Sequence, residues 1–98
     1  MWILEGTGAT FRLKPGAVKT VGRAPRADFI LDVALVSRLH CRLTAAADNL
    51  EVVDLSSTNG TFVNDKRIKR ARLASGDRLR VGRVELTIEQ SDGGASTV

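Results

Sequence analysis

Arginine, serine, threonine, asparagine and glycine recur in three short clusters of this chain, and these residue types together hold oxyanions. Val21-Gly22-Arg23 comes first, then Val36-Ser37-Arg38-Leu39-His40. The richest cluster is Leu55-Ser56-Ser57-Thr58-Asn59-Gly60-Thr61-Phe62-Val63-Asn64, followed by Gly76-Asp77 and Val81-Gly82. A guanidinium gives charge-assisted bonds, hydroxyls and an amide donate single bonds, and glycine lets backbone N–H groups turn toward an anion. Each cluster sits at the mouth of an expected turn. The chemistry this favours is recognition of a phosphate group.

Such residues act together only if regular elements bring their turns to one place. Apolar and polar residues alternate in short bursts, the pattern of half-buried strands. The pattern predicts strands at Trp2–Glu5, Thr10–Leu13, Val18–Val21, Phe29–Leu31, Cys41–Ala45, Leu50–Asp54, Thr61–Val63, Arg67–Ile68, Asp77–Val81 and Glu85–Glu89. Gly6 with Gly8, Pro15-Gly16, Asp48-Asn49, Asn59-Gly60, Asn64-Asp65, Ser75-Gly76 and Gly82 punctuate them as turns. Turns about every eight to twelve residues indicate an antiparallel sandwich or barrel. Helix is nearly absent: Ala45-Ala46-Ala47 runs into Asp48-Asn49 and reads as a hairpin turn. No internal repeat is present. Residues 1–90 form one expected domain, and the small, polar stretch Ser91–Val98 reads as a flexible tail or linker.

Each candidate residue also has a plainer reading. Arg23, after Gly22 at a strand end, either leans over the sandwich rim toward a ligand or is a solvated surface arginine. Ser37 and Arg38 either bind phosphate or belong to an ordinary turn. His40 beside Ser37 invites a catalytic reading, but no third orienting group and no nucleophile-elbow pattern accompany it. His40 is expected to tie loops together by hydrogen bonds. Asn59-Gly60 is a common hairpin turn, but here it also aims Thr58 and Asn59 outward, where an amide can bond a peptide backbone. Lys66-Arg67-Ile68-Lys69-Arg70-Ala71-Arg72 is either a solvated basic face or a patch for acidic ligands or nucleic acid. It lacks the interleaved aromatics of a single-strand stacking platform. Trp2, Phe11, Phe29 and Phe62 read as core residues. Asp54 and Asp77 are expected to satisfy backbone N–H groups.

Composition narrows the classes. At 98 residues the chain fits one domain. One cysteine, Cys41, excludes an internal disulfide and fits a reducing compartment. One cysteine and one histidine cannot build a structural zinc site. No apolar run approaches a membrane span, and the N-terminus lacks a signal-peptide pattern. The formal net charge is +4, carried mostly by arginine, which favours an anionic partner.

In this order and spacing, Gly22-Arg23, Ala27-Asp28-Phe29-Ile30-Leu31-Asp32, Ser37-Arg38-Leu39-His40, Ser57-Thr58-Asn59-Gly60-Thr61 and Gly76-Asp77 resemble the forkhead-associated (FHA) domain. The resemblance runs from about Trp2 to Glu89. It implies an all-β sandwich of about eleven strands in two antiparallel or mixed sheets, with binding loops at one end. The eleventh strand is expected near Leu35-Val36. It further implies phosphothreonine-peptide binding in signalling or the DNA-damage response, with no catalysis and no cofactor. Carried over by position, Arg23 and Ser37 contact the phosphate, Thr58 does so or supports the pocket floor, and Arg38 touches phosphate or ligand backbone. Asn59 bonds the peptide main chain, while Gly22, His40 and Gly60 support the loops. Two departures stand beside the binding loop. Val33-Ala34-Leu35-Val36 replaces an often acidic or proline-bearing turn, and Leu39 replaces an often basic or polar residue. The opening Met1-Trp2-Ile3-Leu4-Glu5 is also similar to the start of nibrin-like repair scaffolds, which implies a nuclear protein. A cytoplasmic bacterial signalling module fits the alanine- and arginine-rich sequence as well. The alternative from the residues alone is a small basic β domain that binds nucleic acid through positions 66–72.

Overall fold

A computed structural model describes residues 1–91, so the expected tail lies outside the described residues except for Ser91. Among the described residues there are eleven strands and no helix. One sheet holds, in spatial order, β2 (Ala9–Leu13), β1 (Trp2–Gly6), β11 (Val84–Gln90), β10 (Arg78–Val81), β7 (Thr61–Val63) and β8 (Lys66–Ile68). The other holds β4 (Phe29–Ile30), β3 (Val18–Gly22), β5 (Cys41–Ala45), β6 (Leu50–Asp54) and β9 (Arg70–Leu73). Strand pairing is antiparallel except for the parallel pair β3 and β4. Ser91, expected in the tail, extends the first sheet: its N–H donates to the Met1 carbonyl at 2.8 Å.

Side-chain alternation explains which face each strand buries. On β5, Cys41, Leu43 and Ala45 point inward, while Arg42 and Thr44 are half-buried on the outer face. Trp2, Leu4, Leu43, Leu50, Val52, Leu79, Leu86 and Ile88 are fully buried between the sheets. Burying each of the larger aliphatic side chains stabilises the sandwich by about 1.5–3 kcal/mol. The indole N–H of Trp2 finds the Ala46 carbonyl at 2.8 Å, so its polar atom enters the core satisfied. Phe11 on β2 and Phe29 on β4 stack with ring centroids 4.4 Å apart, closing the two sheets along one edge. Ala46, as expected, sits in a hairpin turn closed by its N–H to the Asn49 carbonyl at 2.9 Å.

Two expectations are corrected. The eleventh strand is β9, not Leu35-Val36, which lies in a loop with Leu35 at φ +75°. The basic run concealed β9, because its arginines are the outward half of a period-two pattern whose inward half is Ala71 and Leu73. Phe62 is not a core residue. The pleat of β7 turns Thr61 and Val63 inward, leaving Phe62 on the outer face beneath the Arg80 guanidinium, 3.9 Å from its ring centroid.

Four loops meet at one end of the sandwich. They are β3–β4, β4–β5, the β6–β7 segment that crosses between sheets, and the β10–β11 turn, whose Gly82 N–H donates to the Gly60 carbonyl at 3.3 Å.

The inward assignment of β9 is directly testable. Leu73→Ala should cost about 2–5 kcal/mol in urea unfolding, as buried leucine truncations do. Arg72→Ala, on the opposite face, should change stability by about 0.5 kcal/mol or less.

Candidate functional site

The site begins with a close approach of backbones. A Cβ on Gly22 would lie 2.0 Å from the Arg38 carbonyl oxygen, so only glycine permits this contact. That closeness lets β3 continue pairing with the loop before β5. Arg23 N–H donates to the Ser37 carbonyl at 2.9 Å, Ala24 N–H to the Arg38 carbonyl at 3.1 Å, and His40 N–H to the Val21 carbonyl at 2.8 Å. Arg23 and Ser37 are thereby fixed side by side. The Arg23 Nε–H donates to the Val36 carbonyl at 3.1 Å, which aims the rest of the guanidinium and leaves its terminal nitrogens for a ligand.

His40 is fully buried and bonded at both ring nitrogens. Ser37 N–H donates to Nδ1 at 3.0 Å, so Nδ1 is an acceptor. Nε2 lies 2.8 Å from the Gly60 carbonyl, which only accepts, so Nε2 carries the proton. The imidazole is therefore neutral, in one tautomer, and joins the β4–β5 loop to the β6–β7 loop.

Asp54 and Ser57 shape the β6–β7 loop. Asp54 accepts from Ser57 N–H at 3.1 Å, from the Ser57 hydroxyl, and from the Thr61 hydroxyl at 2.7 Å. The same Ser57 Oγ accepts from Gly60 N–H at 3.0 Å, closing the turn. Gly60 adopts φ +92°, which glycine enters without strain. Asn59-Gly60 is thus not a hairpin turn; it lies in a crossing between sheets. Asp54 accepts a backbone N–H as expected, whereas the Ser57 bracket goes beyond the expectation and had only the Asp-x-x-Ser spacing as its signal.

The loops enclose an open cavity of about 490 Å³ lined by Arg23, Ser37, Thr58, Asn59 and residues 32–36. Ser37 Oγ accepts Thr58 N–H at 3.1 Å, and Asn59 Nδ2–H donates to the Leu35 carbonyl at 3.2 Å. Thr58 Oγ1, Asn59 Oδ1 and the Ser37 hydroxyl proton remain available to a ligand. Four of the five expected binding residues are brought together here. Arg38 is placed differently, in an adjacent cavity with Arg23, Ala24, Pro25 and Arg26. Gly22, His40 and Gly60 stand behind the loops. The backbone acceptors at Leu35 and Val36, which orient Asn59 and Arg23, had no signal in the sequence.

Asp54 gives the loop a pH dependence. Burial pushes its carboxyl up, but the bonds from Ser57 and Thr61 outweigh that and hold it below its ordinary value of 3.8. The carboxylate's contribution is therefore complete above that ordinary value and is lost as pH falls through the lower, folded-state value. Urea unfolding of the native chain and of Asp54→Asn should show a stability gap at neutral pH that narrows as the solution is acidified below about pH 4. A gap that widens in acid would refute the assignment.

Comparison with known proteins gives a consistent result. The family model described as FHA domain matches residues 19–82. The ABC transporter ATP-binding/permease protein Rv1747 of Mycobacterium tuberculosis is 40% identical over 86 residues, covering 88% of this chain and 10% of that protein. The glycogen accumulation regulator GarA of the same species is 39% identical over 70 residues, covering 71% of this chain and 43% of GarA. The chain thus spans under half the length of these curated relatives. A structure from a structural and functional study of phosphothreonine-dependent FHA domain interactions superposes with a TM-score of 0.81 at 34% identity, covering 92% of this chain and 94% of that one. The chain belongs to the FHA domain family.

Proposed function

We propose that this domain binds phosphothreonine peptides and so mediates phosphorylation-dependent association between proteins, without catalysing a reaction. The observation that carries the reading is the convergence of Arg23, Ser37, Thr58 and Asn59 on one open cavity, each held by a bond that leaves a polar group of its side chain uncommitted. Phosphorylation adds about −1.5 to −2 charges and three strong acceptor oxygens. The Arg23 guanidinium and the hydroxyls of Ser37 and Thr58 answer them with charge-assisted bonds of roughly 1.5–3 kcal/mol each. Two such bonds separate phosphorylated from plain peptide by orders of magnitude, since about 1.4 kcal/mol is tenfold. The Asn59 amide then addresses the peptide main chain.

The geometry argues against an enzyme built on Ser37 and His40. Both imidazole nitrogens are engaged with backbone groups, so neither can take a proton from the Ser37 hydroxyl. It also weakens the nucleic-acid reading. Lys66 and Arg67 lie on β8 of one sheet, whereas Arg70 and Arg72 lie on β9 of the other, and Arg70 pairs with Glu51 at 3.7 Å. In our reading residues 1–90 are the module and 91–98 a tail or linker. The bacterial relatives favour a cytoplasmic signalling role and lend nothing to the nibrin likeness.

Titration of phosphothreonine peptides against the native domain and Arg23→Ala tests this. The native domain should bind at about micromolar affinity and need the phosphate. The variant should lose at least about tenfold, which is about 1.4 kcal/mol, with an unchanged circular dichroism spectrum. Equal binding of plain and phosphorylated peptides would overturn the proposal.

A further inference from the structure

Beside the phosphate cavity lies a second one, of about 530 Å³, that shares Arg23 with it and is completed by Ala24, Pro25, Arg26 and Arg38. Three arginines line it and no carboxylate does. The two ion pairs found among the described residues involve other arginines. The side chains of Arg26 and Arg38 have no hydrogen-bond partner among the described residues. Asp28, the nearest acidic residue along the chain, is turned toward Thr20, whose N–H and hydroxyl hold its carboxylate at 2.9 and 3.1 Å.

The backbone around these arginines is built, not loose. Ala27 N–H donates to the Ala24 carbonyl at 3.0 Å, closing a turn in which Pro25 holds the second position and Arg26 the third. Proline fixes its own φ there, and the buried Ala27 anchors the far end. Ala24 N–H reaches across to the Arg38 carbonyl at 3.1 Å, which pins the Arg26 turn beside Arg38. Arginines that line one concavity without a counter-charge among its lining residues raise the local positive potential, and the planar forks of their guanidiniums match carboxylate or phosphoryl oxygens.

We infer that the cavity of Arg23, Arg26 and Arg38 is a second anion subsite, which takes another acidic side chain of the same ligand a few residues from the phosphothreonine. The inference rests on the phosphopeptide reading above. It makes the domain selective among phosphothreonine peptides: Arg23 stands between the two subsites and Arg26 belongs to the second alone. The acidic side chain is a carboxylate or a second phosphoryl group, which share the oxyanion chemistry that a guanidinium fork recognises.

The test is a fluorescence-anisotropy titration with a phosphothreonine peptide of neutral flanks, then with glutamate or phosphoserine placed at each flanking position in turn. An acidic residue at one or two adjacent positions should tighten binding about tenfold, or about 1.4 kcal/mol. A larger gain for phosphoserine assigns a phosphoryl group, and equal gains assign a carboxylate. Arg26→Gln should remove the gain while leaving the neutral-flank affinity unchanged, and Arg26→Glu should turn the gain into a loss. A gain spread evenly over all positions would be general attraction to a cationic chain and would overturn the subsite. So would a gain that survives Arg26→Gln, or neutral-flank binding with no acidic gain at any position. If the neutral-flank phosphopeptide does not bind the native domain, the phosphopeptide reading falls and takes the subsite with it.

Discussion

The imidazole of His40 accepts from one loop and donates to another, and the positions of nearly all the ligand-facing groups follow from those two bonds. The acceptor at Nδ1 fixes Ser37, and Ser37 in turn receives Thr58 through its hydroxyl oxygen. The donor at Nε2 fixes Gly60, whose N–H is held by Ser57, which is itself anchored on Asp54. A single ring buried between the sheets thus sets the separation between a loop within one sheet and the segment that crosses to the other. A buried polar ring of this kind is tolerable only because both nitrogens are satisfied; leaving one unpaired costs about 1–3 kcal/mol. Polar cores that are fully paired also define one arrangement more sharply than apolar packing does.

The side chains that line the cavity are held in place by the backbone around them. The Nε of Arg23 and the amide of Asn59 are each oriented by a carbonyl of the β4–β5 loop, so little side-chain freedom remains to be lost on association. That loop carries Leu35 in the left-handed region, where an L-residue is strained by roughly 1–2 kcal/mol. Asn59 bonds to the carbonyl of the strained residue itself. The same amide therefore steadies the loop and faces the cavity, and its two roles are not separable by substitution. Asp32, Val33 and Leu35 are also exposed at the cavity, so its far side offers a carboxylate and two aliphatic side chains in place of the acidic or proline-bearing turn common in the family.

Period-two alternation made most strands legible, because one face of each is buried and the other is wet. It failed where charge dominated the eye: β9 reads as part of a basic run, yet Leu73 is buried and its pairing with Leu50 is in register. It failed also at Phe62, where an aromatic type suggested core although neighbouring Thr61 already claimed the inward position. The residues that line the cavity were legible by type and spacing, since arginine, serine, threonine and asparagine each leave a chemical signature. What the sequence could not display was the backbone: the carbonyls of Leu35, Val36 and Arg38 carry no residue code, and they decide where Arg23, Asn59 and the Arg26 turn point. Arg38 illustrates the limit, for adjacency to Ser37 in the chain does not imply a shared cavity.

Cys41 begins β5, one residue beyond His40, and is fully buried with its thiol pushed up to about 12 by burial, with the nearby Asp54 charge adding to the effect. The thiolate, the form that reacts with oxidants and alkylating agents, is thereby withheld while β3 and β5 stay joined. The domain's chemistry toward electrophiles is consequently gated by its own breathing. Labelling of this one sulfur would count how often the strand beneath the histidine opens, a clock for the cooperative unit that holds the binding loops in place.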